Sequence, residues 1–319
     1  DPDNVTIMGQ SGGGAKVCVV AAMPKSSGLI HKAVALSGSS TSGADQSQTQ
    51  KLGEYILKEA GLGLSEIDKL QDLPWKVYLA LADRATQKFS KDGGRARFAP
   101  VADGILIPKG KFFSEADGAA SRVPLIISST FHEWGISRTD PELENISAEK
   151  AIHMLKEGTG LRGGGLGDKA VSVYNAYANV FPAAKPIEIV SLVGSNRRAV
   201  VDTATAKQKQ KAPVFVAWFG WNPPLFNNRM RAFHCVDICF WYDNTDVMYT
   251  HTGGGSRPKK LSEKMSGALL QFMKTGNPNG GGLPRWPAFT IENGETMVLD
   301  DQPVVKNDPD REARKVLLA

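Results

Sequence analysis

The sequence predicts an α/β fold, a mainly parallel central sheet flanked by helices, and three observations carry that expectation. Short, wholly apolar runs recur along the chain, as in strands buried on both faces. Longer stretches with helical spacing of their apolar residues separate these runs. No internal repeat or low-complexity tract interrupts the alternation, which is the pattern of successive strand and helix units. The 319 residues, 41% hydrophobic and 22% charged, suffice for one large domain or two smaller ones with a substantial core.

Taken in order, residues 5–8 read as a short buried strand, and Gly9-Gln10-Ser11-Gly12-Gly13-Gly14 as a glycine-dense turn. Residues 15–23 are apolar enough for a buried helix. Residues 33–36 give a second strand, ending in the small-residue loop Ser37-Gly38-Ser39-Ser40. From residue 46 to about residue 87 the pattern is helical, with Leu52, Tyr55, Ile56 and Ala60 on one face. Within it, Ser65-Glu66-Ile67-Asp68 has capping-box spacing, with Asp in the usual Glu place, and is read as opening a further helix. Residues 123–128 are a third strand candidate. Helices are expected at 148–157 and 168–178, flanking a flexible glycine-rich loop at 160–167. Residues 214–219, rich in aromatic and β-branched side chains, are the most strand-like segment. Residues 252–256 read as a loop, and residues 261–274 as an amphipathic helix that stops at Gly276-Asn277-Pro278-Asn279.

The formal charge is +5, with small basic groups at Lys207, Lys209, Lys211 and at Arg257, Lys259, Lys260. No aromatic-studded basic stripe accompanies them, so they read as solvated surface and not as a nucleic-acid footprint. Three cysteines, Cys18, Cys235 and Cys239, are too few for a disulfide scaffold and leave the redox compartment open. Cys235 and Cys239 bracket Asp237, but no second Cys/His pair completes a metal site; neither a metal nor a cofactor is expected. No stretch approaches the roughly 18 uninterrupted apolar residues of a membrane helix. The first residue is Asp1, with no charged-then-apolar leader, so a missing upstream part is expected, and with it any targeting signal.

Gly9-Gln10-Ser11-Gly12-Gly13 fits G-x-S-x-G, the turn that lifts a nucleophilic serine between a strand and a helix. Its glycines are expected for steric reasons: a side chain at Gly9 or Gly13 should collide with neighbouring elements. The following helix points its positive end at the place where charge develops in acyl transfer. The five-residue pattern alone also fits a small-residue loop, but the strand before and the helix after are what the turn requires. A phosphate loop is the chief rival. Gly9 and Gly14 have its spacing, yet Ala15 intervenes before Lys16 and Val17 offers no hydroxyl for magnesium.

A serine nucleophile needs a base, and five histidines compete. His31 follows the turn's helix closely and reads as structural; His153 lies in a helix; His251 borders a glycine-rich loop. His132 is joined to Glu133, but Ile136 stands where a zinc-binding H-E-x-x-H needs its second histidine. His234 comes late, after the strongest strand. In α/β-hydrolases the order along the chain is serine, acid, histidine, which favours Glu133, just past the 123–128 strand, and His234.

These residues together resemble the type-B carboxylesterases, the family of the bacterial para-nitrobenzyl esterases and the cholinesterases. The resemblance begins at Asp1-Pro2-Asp3-Asn4-Val5-Thr6-Ile7-Met8-Gly9-Gln10-Ser11-Gly12-Gly13 and continues through Gly28-Leu29-Ile30-His31-Lys32-Ala33 to Leu36-Ser37-Gly38-Ser39. Further matches are Pro100-Val101-Ala102-Asp103-Gly104, Pro124-Leu125-Ile126-Ile127 with Glu133, and His234 with Asp237-Ile238-Cys239-Phe240. The last lie at Phe272-Met273-Lys274-Thr275-Gly276-Asn277-Pro278-Asn279 and Leu283-Pro284-Arg285-Trp286-Pro287. It implies an α/β-hydrolase fold, Ser11 as nucleophile, Glu133 as acid and His234 as base. It also implies a small-molecule ester substrate and Gly12 N–H as one oxyanion donor.

Two departures stand out. Many relatives have Glu before the serine and Ala after it, where this chain has Gln10 and Gly12. The family's glycine-rich oxyanion segment and first strands lie upstream of the turn, so residues 1–319 are expected to be the C-terminal portion of one domain whose upstream segment supplies them. Two alternatives accompany the esterase reading: a non-catalytic binding protein of the same fold, and a fragment active only with its N-terminal segment. The compartment stays open; the resemblance alone leans to a secreted or periplasmic one.

Overall fold

The computed structural model describes residues 1–159, 161 and 164–319, and for Ile136 the backbone only. The expected glycine-rich loop at 160–167 therefore lies partly outside the described residues. Six strands, β1 (Thr6–Gln10), β2 (Lys32–Leu36), β3 (Leu125–Thr130), β4 (Val214–Phe219), β5 (Glu295–Leu299) and β6 (Val304–Asn307), form one sheet in sequence order. The first five run parallel, and β6 returns antiparallel against β5. β1 thus stands at one edge and β6 at the other.

The helices are α1 (Gly12–Ala22), α2 (Gln46–Ala60), α3 (Trp75–Lys91), α4 (Ala148–Glu157), α5 (Ala170–Val180), α6 (Pro186–Val193), α7 (Arg197–Lys207), α8 (Ile238–Trp241), α9 (Tyr249–Thr252), α10 (Ser256–Thr275) and α11 (Arg311–Leu318). The pleat sends alternate residues to opposite faces. Val34, Leu36, Ile126, Phe215, Ala217, Phe219, Met297 and Leu299 pack with α8 and α10. Ala33, Ala35, Leu125, Ile127, Val214 and Val216 pack with α1 and α7. Helices α4, α5 and α6 share a further cluster that reaches Trp218, and α2 and α3 pack on each other in a small satellite core.

Several sequence expectations shift. The first strand runs two residues further than its apolar run, because Gly9 and Gln10 stay in register with Ala35 and Leu36. α1 begins at Gly12, three residues earlier than its apolar residues suggest, so the glycines fall inside the helix. Ser65 opens no helix: Glu66 Oε2 accepts from Gly63 N at 3.1 Å and starts the 3-10 segment Leu64–Asp72 around it. The sequence reading passed over α6, α7, β5, β6 and α11. These are short or mixed in composition, and long-range partners decide them. Arg197 of α7, for example, is buried, bonded to Asp310 at 3.1 Å and Thr296 at 3.1 Å.

Lys207 corrects the surface reading of its basic group. It is 1% exposed, and its Nζ donates to Ala120 O at 2.9 Å and Gln210 Oε1 at 3.0 Å, with no carboxylate paired to it among the described residues. Lys207 closes the last turn of α7, where helix packing and not sequence composition sets its exposure. Burial pushes the ammonium down from 10.5 to about 7. Between those values the unfolded chain binds a proton that the folded chain does not, so stability rises with pH, by up to about 1.4 kcal/mol per unit. Lys207→Met is expected to flatten that slope in urea melts taken from about pH 7.5 to 9.5. An unchanged slope would assign it to other groups.

Candidate active site

Ser11 stands between β1 and α1, capping the helix with φ 58 and ψ −121, a strained conformation for a residue with a side chain. Such backbone costs about 1–3 kcal/mol and persists only where its surroundings enforce it. Here they do. Ser11 N donates to Leu36 O at 2.8 Å, and the chain crosses its neighbours at glycine distances. A Cβ on Gly9 would stand 2.4 Å from the carbonyl of Gly13, and one on Gly14 2.5 Å from Gly38 O. One on Gly38 would fall 1.7 Å from Ser11 O. Gly13 is a correction: a Cβ there would meet nothing within 4 Å, because that face of the first turn is open. The close approach that sequence reasoning missed is Gly38, in the loop after β2. Gly12 is the first residue of α1, where N–H groups have no intrahelical acceptor.

Glu133 follows β3 by three residues, is 1% exposed, and has φ 25. Its Oε1 accepts from Thr130 N at 3.1 Å, which fixes the carboxylate, and its Oε2 lies 2.5 Å from His234 Nδ1. The main chain joins the two loops as well: His234 N donates to Glu133 O at 2.6 Å and His132 N to Ala232 O at 3.1 Å. The Trp134 ring lies over the imidazole, centroids 4.6 Å apart. His234 Nε2, the nitrogen away from Glu133, has Gln10 Nε2 at 3.2 Å. Among the described residues no hydrogen bond joins Ser11 Oγ to His234. The structure therefore brings Glu133 and His234 together, and the link toward the serine runs through Gln10, its neighbour in the chain.

Further groups complete the surroundings. Asp237 is fully buried, with Oδ2 accepting from Trp241 Nε1 at 3.3 Å. Burial first, and then the charge of Glu133, push its carboxyl up to about 7. Its place three residues after His234 was the available signal. His132 is buried and held down at about 4 by desolvation, with Glu188 Oε1 at 3.7 Å, so it stays neutral. Arg231 grips Glu144 with two bonds, 2.7 and 3.0 Å, Ser137 Oγ at 2.9 Å and Glu188 at 3.0 Å. Burial alone would raise Glu144; the hydrogen bonds from Arg231 and Lys185 bring it instead to about 2. This buried network locks the segment after Glu133 against the one before His234. Such a network links residues far apart in sequence, and no local signal reveals it.

The remaining histidines lie elsewhere in the fold. His31 Nδ1 accepts from Val5 N at 3.2 Å, a structural contact. His153 is on α4, and His251, on α9, packs its ring against Phe233 at 5.7 Å. Cys18, Cys235 and Cys239 are free thiols. Among the described residues no group of three or more His, Cys, Asp or Glu is arranged to hold a metal, and no helix is long and apolar enough to cross a membrane.

The family model described as the carboxylesterase family matches residues 1–316. The chain is 30% identical to the para-nitrobenzyl esterase of Bacillus subtilis over 322 residues, covering 99% of this chain and 62% of that protein. Among solved structures it is similar to a thermophilic para-nitrobenzyl esterase, with TM-score 0.72 and 30% identity, covering 99% of this chain and 63% of that one. An esterase from anaerobic Clostridium hathewayi, described as hydrolysing aliphatic aromatic polyesters, matches at TM-score 0.73 and 26% identity, covering 99% and 62%. The chain thus spans about three fifths of the length of these relatives.

Proposed function

Because this chain belongs to the carboxylesterase family and has its α/β-hydrolase fold, we propose that it carries the catalytic groups of a serine carboxylic-ester hydrolase: Ser11 as nucleophile, His234 as base and Glu133 as acid. The observation that supports this reading best is the Glu133–His234 pair, 2.5 Å apart, whose other ring nitrogen lies 3.2 Å from the side chain of Gln10, the residue before the strained serine. Glu133, an acceptor fixed by Thr130 N, keeps the proton on Nδ1 and the lone pair on Nε2. Ser11 Oγ bonds to the ester carbonyl carbon as its proton passes to Nε2, and the charge on the carbonyl oxygen is met by Gly12 N–H. Collapse breaks the carbon–oxygen bond to the alcohol, which leaves with the proton from Nε2. Water then repeats the sequence on the acyl-enzyme and frees the acid.

The proposal includes a partner for β1. This strand is an edge of the sheet, half-buried along its length, and carries none of the lysines, prolines or bulges that blunt edges. An upstream segment of the same protein pairing there would satisfy its free backbone groups and bring the other oxyanion donors. Slow hydrogen exchange at the outward amides of residues 6–10 in the full-length protein supports the pairing; exchange at the rate of an open edge excludes it.

The substrate-independent test of the site is a fluorophosphonate probe followed by peptide mass spectrometry. A single adduct on Ser11 is expected. An adduct elsewhere would move the nucleophile.

A further inference from the structure

We propose that Gln10 is a positioning residue that occupies the proton-accepting nitrogen of His234 in the resting site and so sets the pH at which the base becomes available; this rests on the reading of His234 as that base. Gln10 is the last residue of β1 and is joined directly to Ser11. Its carboxamide nitrogen lies 3.2 Å from His234 Nε2. Glu133 Oε2, which can only accept, lies on the other ring nitrogen at 2.5 Å. The tautomer follows: Nδ1 carries the hydrogen and Nε2 the lone pair. The Gln10 N–H donates into the lone pair that Ser11 needs, and among the described residues Ser11 Oγ has no bond to that nitrogen.

An amide suits this position because it donates to the neutral ring and brings no charge to favour the imidazolium. Its N–H, 3.2 Å from Nε2, stabilises the neutral imidazole. A carboxylate at position 10 could only accept and would favour the imidazolium. Alanine would withdraw support from the neutral ring without adding a charge. The ring's other ionisable neighbours are Glu133 on Nδ1, Asp237 three residues on, and the Cys235 thiol, itself within reach of the Gln10 side chain. Among the described residues neither Asp237 nor Cys235 is hydrogen-bonded to His234 Nε2, which has Gln10 as its partner.

The test is the rate of Ser11 modification by a fluorophosphonate, followed across the acid limb in the native protein, Gln10→Glu and Gln10→Ala. The limb is expected to move to higher pH by about one unit in Gln10→Glu and by less in Gln10→Ala. Limbs that coincide in all three proteins would overturn the proposal, and Gln10→Ala alone decides it should Gln10→Glu not fold. If Ser11 does not react even in the native protein, the nucleophile reading fails separately. The His234 imidazole resonance, identified by its loss in His234→Asn, then decides for Gln10: its titration must move in the same order, and a common midpoint overturns the assignment.

Discussion

Ser11→Ala is expected to lower turnover of a short-chain p-nitrophenyl ester by about 10⁶-fold while leaving the fold intact. The fold should hold because Ser11 Oγ has no hydrogen bond among the described residues, so its removal orphans no partner. Glu133→Gln should cost about 10⁴-fold, for a different reason. The amide can still accept from Thr130 N through one oxygen, but the group then facing His234 Nδ1 is an NH₂ that donates. The ring would carry its hydrogen on Nε2 and lose the lone pair that is to take the serine's proton. If the three groups act as a unit, Ser11→Ala with Glu133→Gln should be no slower than Ser11→Ala alone. Steady-state rates on the full-length protein decide it. A Glu133→Gln enzyme within tenfold of the native rate would mean that another acid orients His234.

The second large effect is steric. Gly38→Ala should destabilise the protein by more than about 4 kcal/mol, or prevent folding, and abolish fluorophosphonate labelling. The new Cβ would lie 1.7 Å from Ser11 O and 2.6 Å from its carbonyl carbon, and both are backbone atoms that no rotamer change can move. Either the turn at Ser11 opens or the loop after β2 shifts. Both outcomes displace the serine. Gly13→Ala is the matched control, two residues from Ser11 within α1, where a Cβ meets nothing within 4 Å. It should be neutral or up to about 1 kcal/mol more stable, since alanine favours helix over glycine. Urea melts of the two variants make the comparison, and equal stability would refute the assignment of the tight approach to Gly38.

What the sequence determined by itself was the part encoded within a few consecutive residues, or in the order of motifs. The apolar runs at β2, β3 and β4 are continuous because those strands are buried on both faces, so their existence could be read directly. The strand, turn and helix around Ser11 are equally local. The order of serine, glutamate and histidine selected Glu133 and His234, which the fold sets 2.5 Å apart. Tertiary structure decided everything that depends on which distant surfaces meet. Gly13 looked obligatory and Gly38 did not, because the crossing that demands a glycine involves a loop 27 positions from the serine (38 − 11). Lys207 looked solvated until α7 was packed against the sheet. Gln10 looked like a substitution in a motif until β1 carried it to His234, 224 residues away. Spacing along the chain encodes periodicity and local turns, whereas burial, charge pairing and close approach depend on separations in space that only the packed sheet and its helices define.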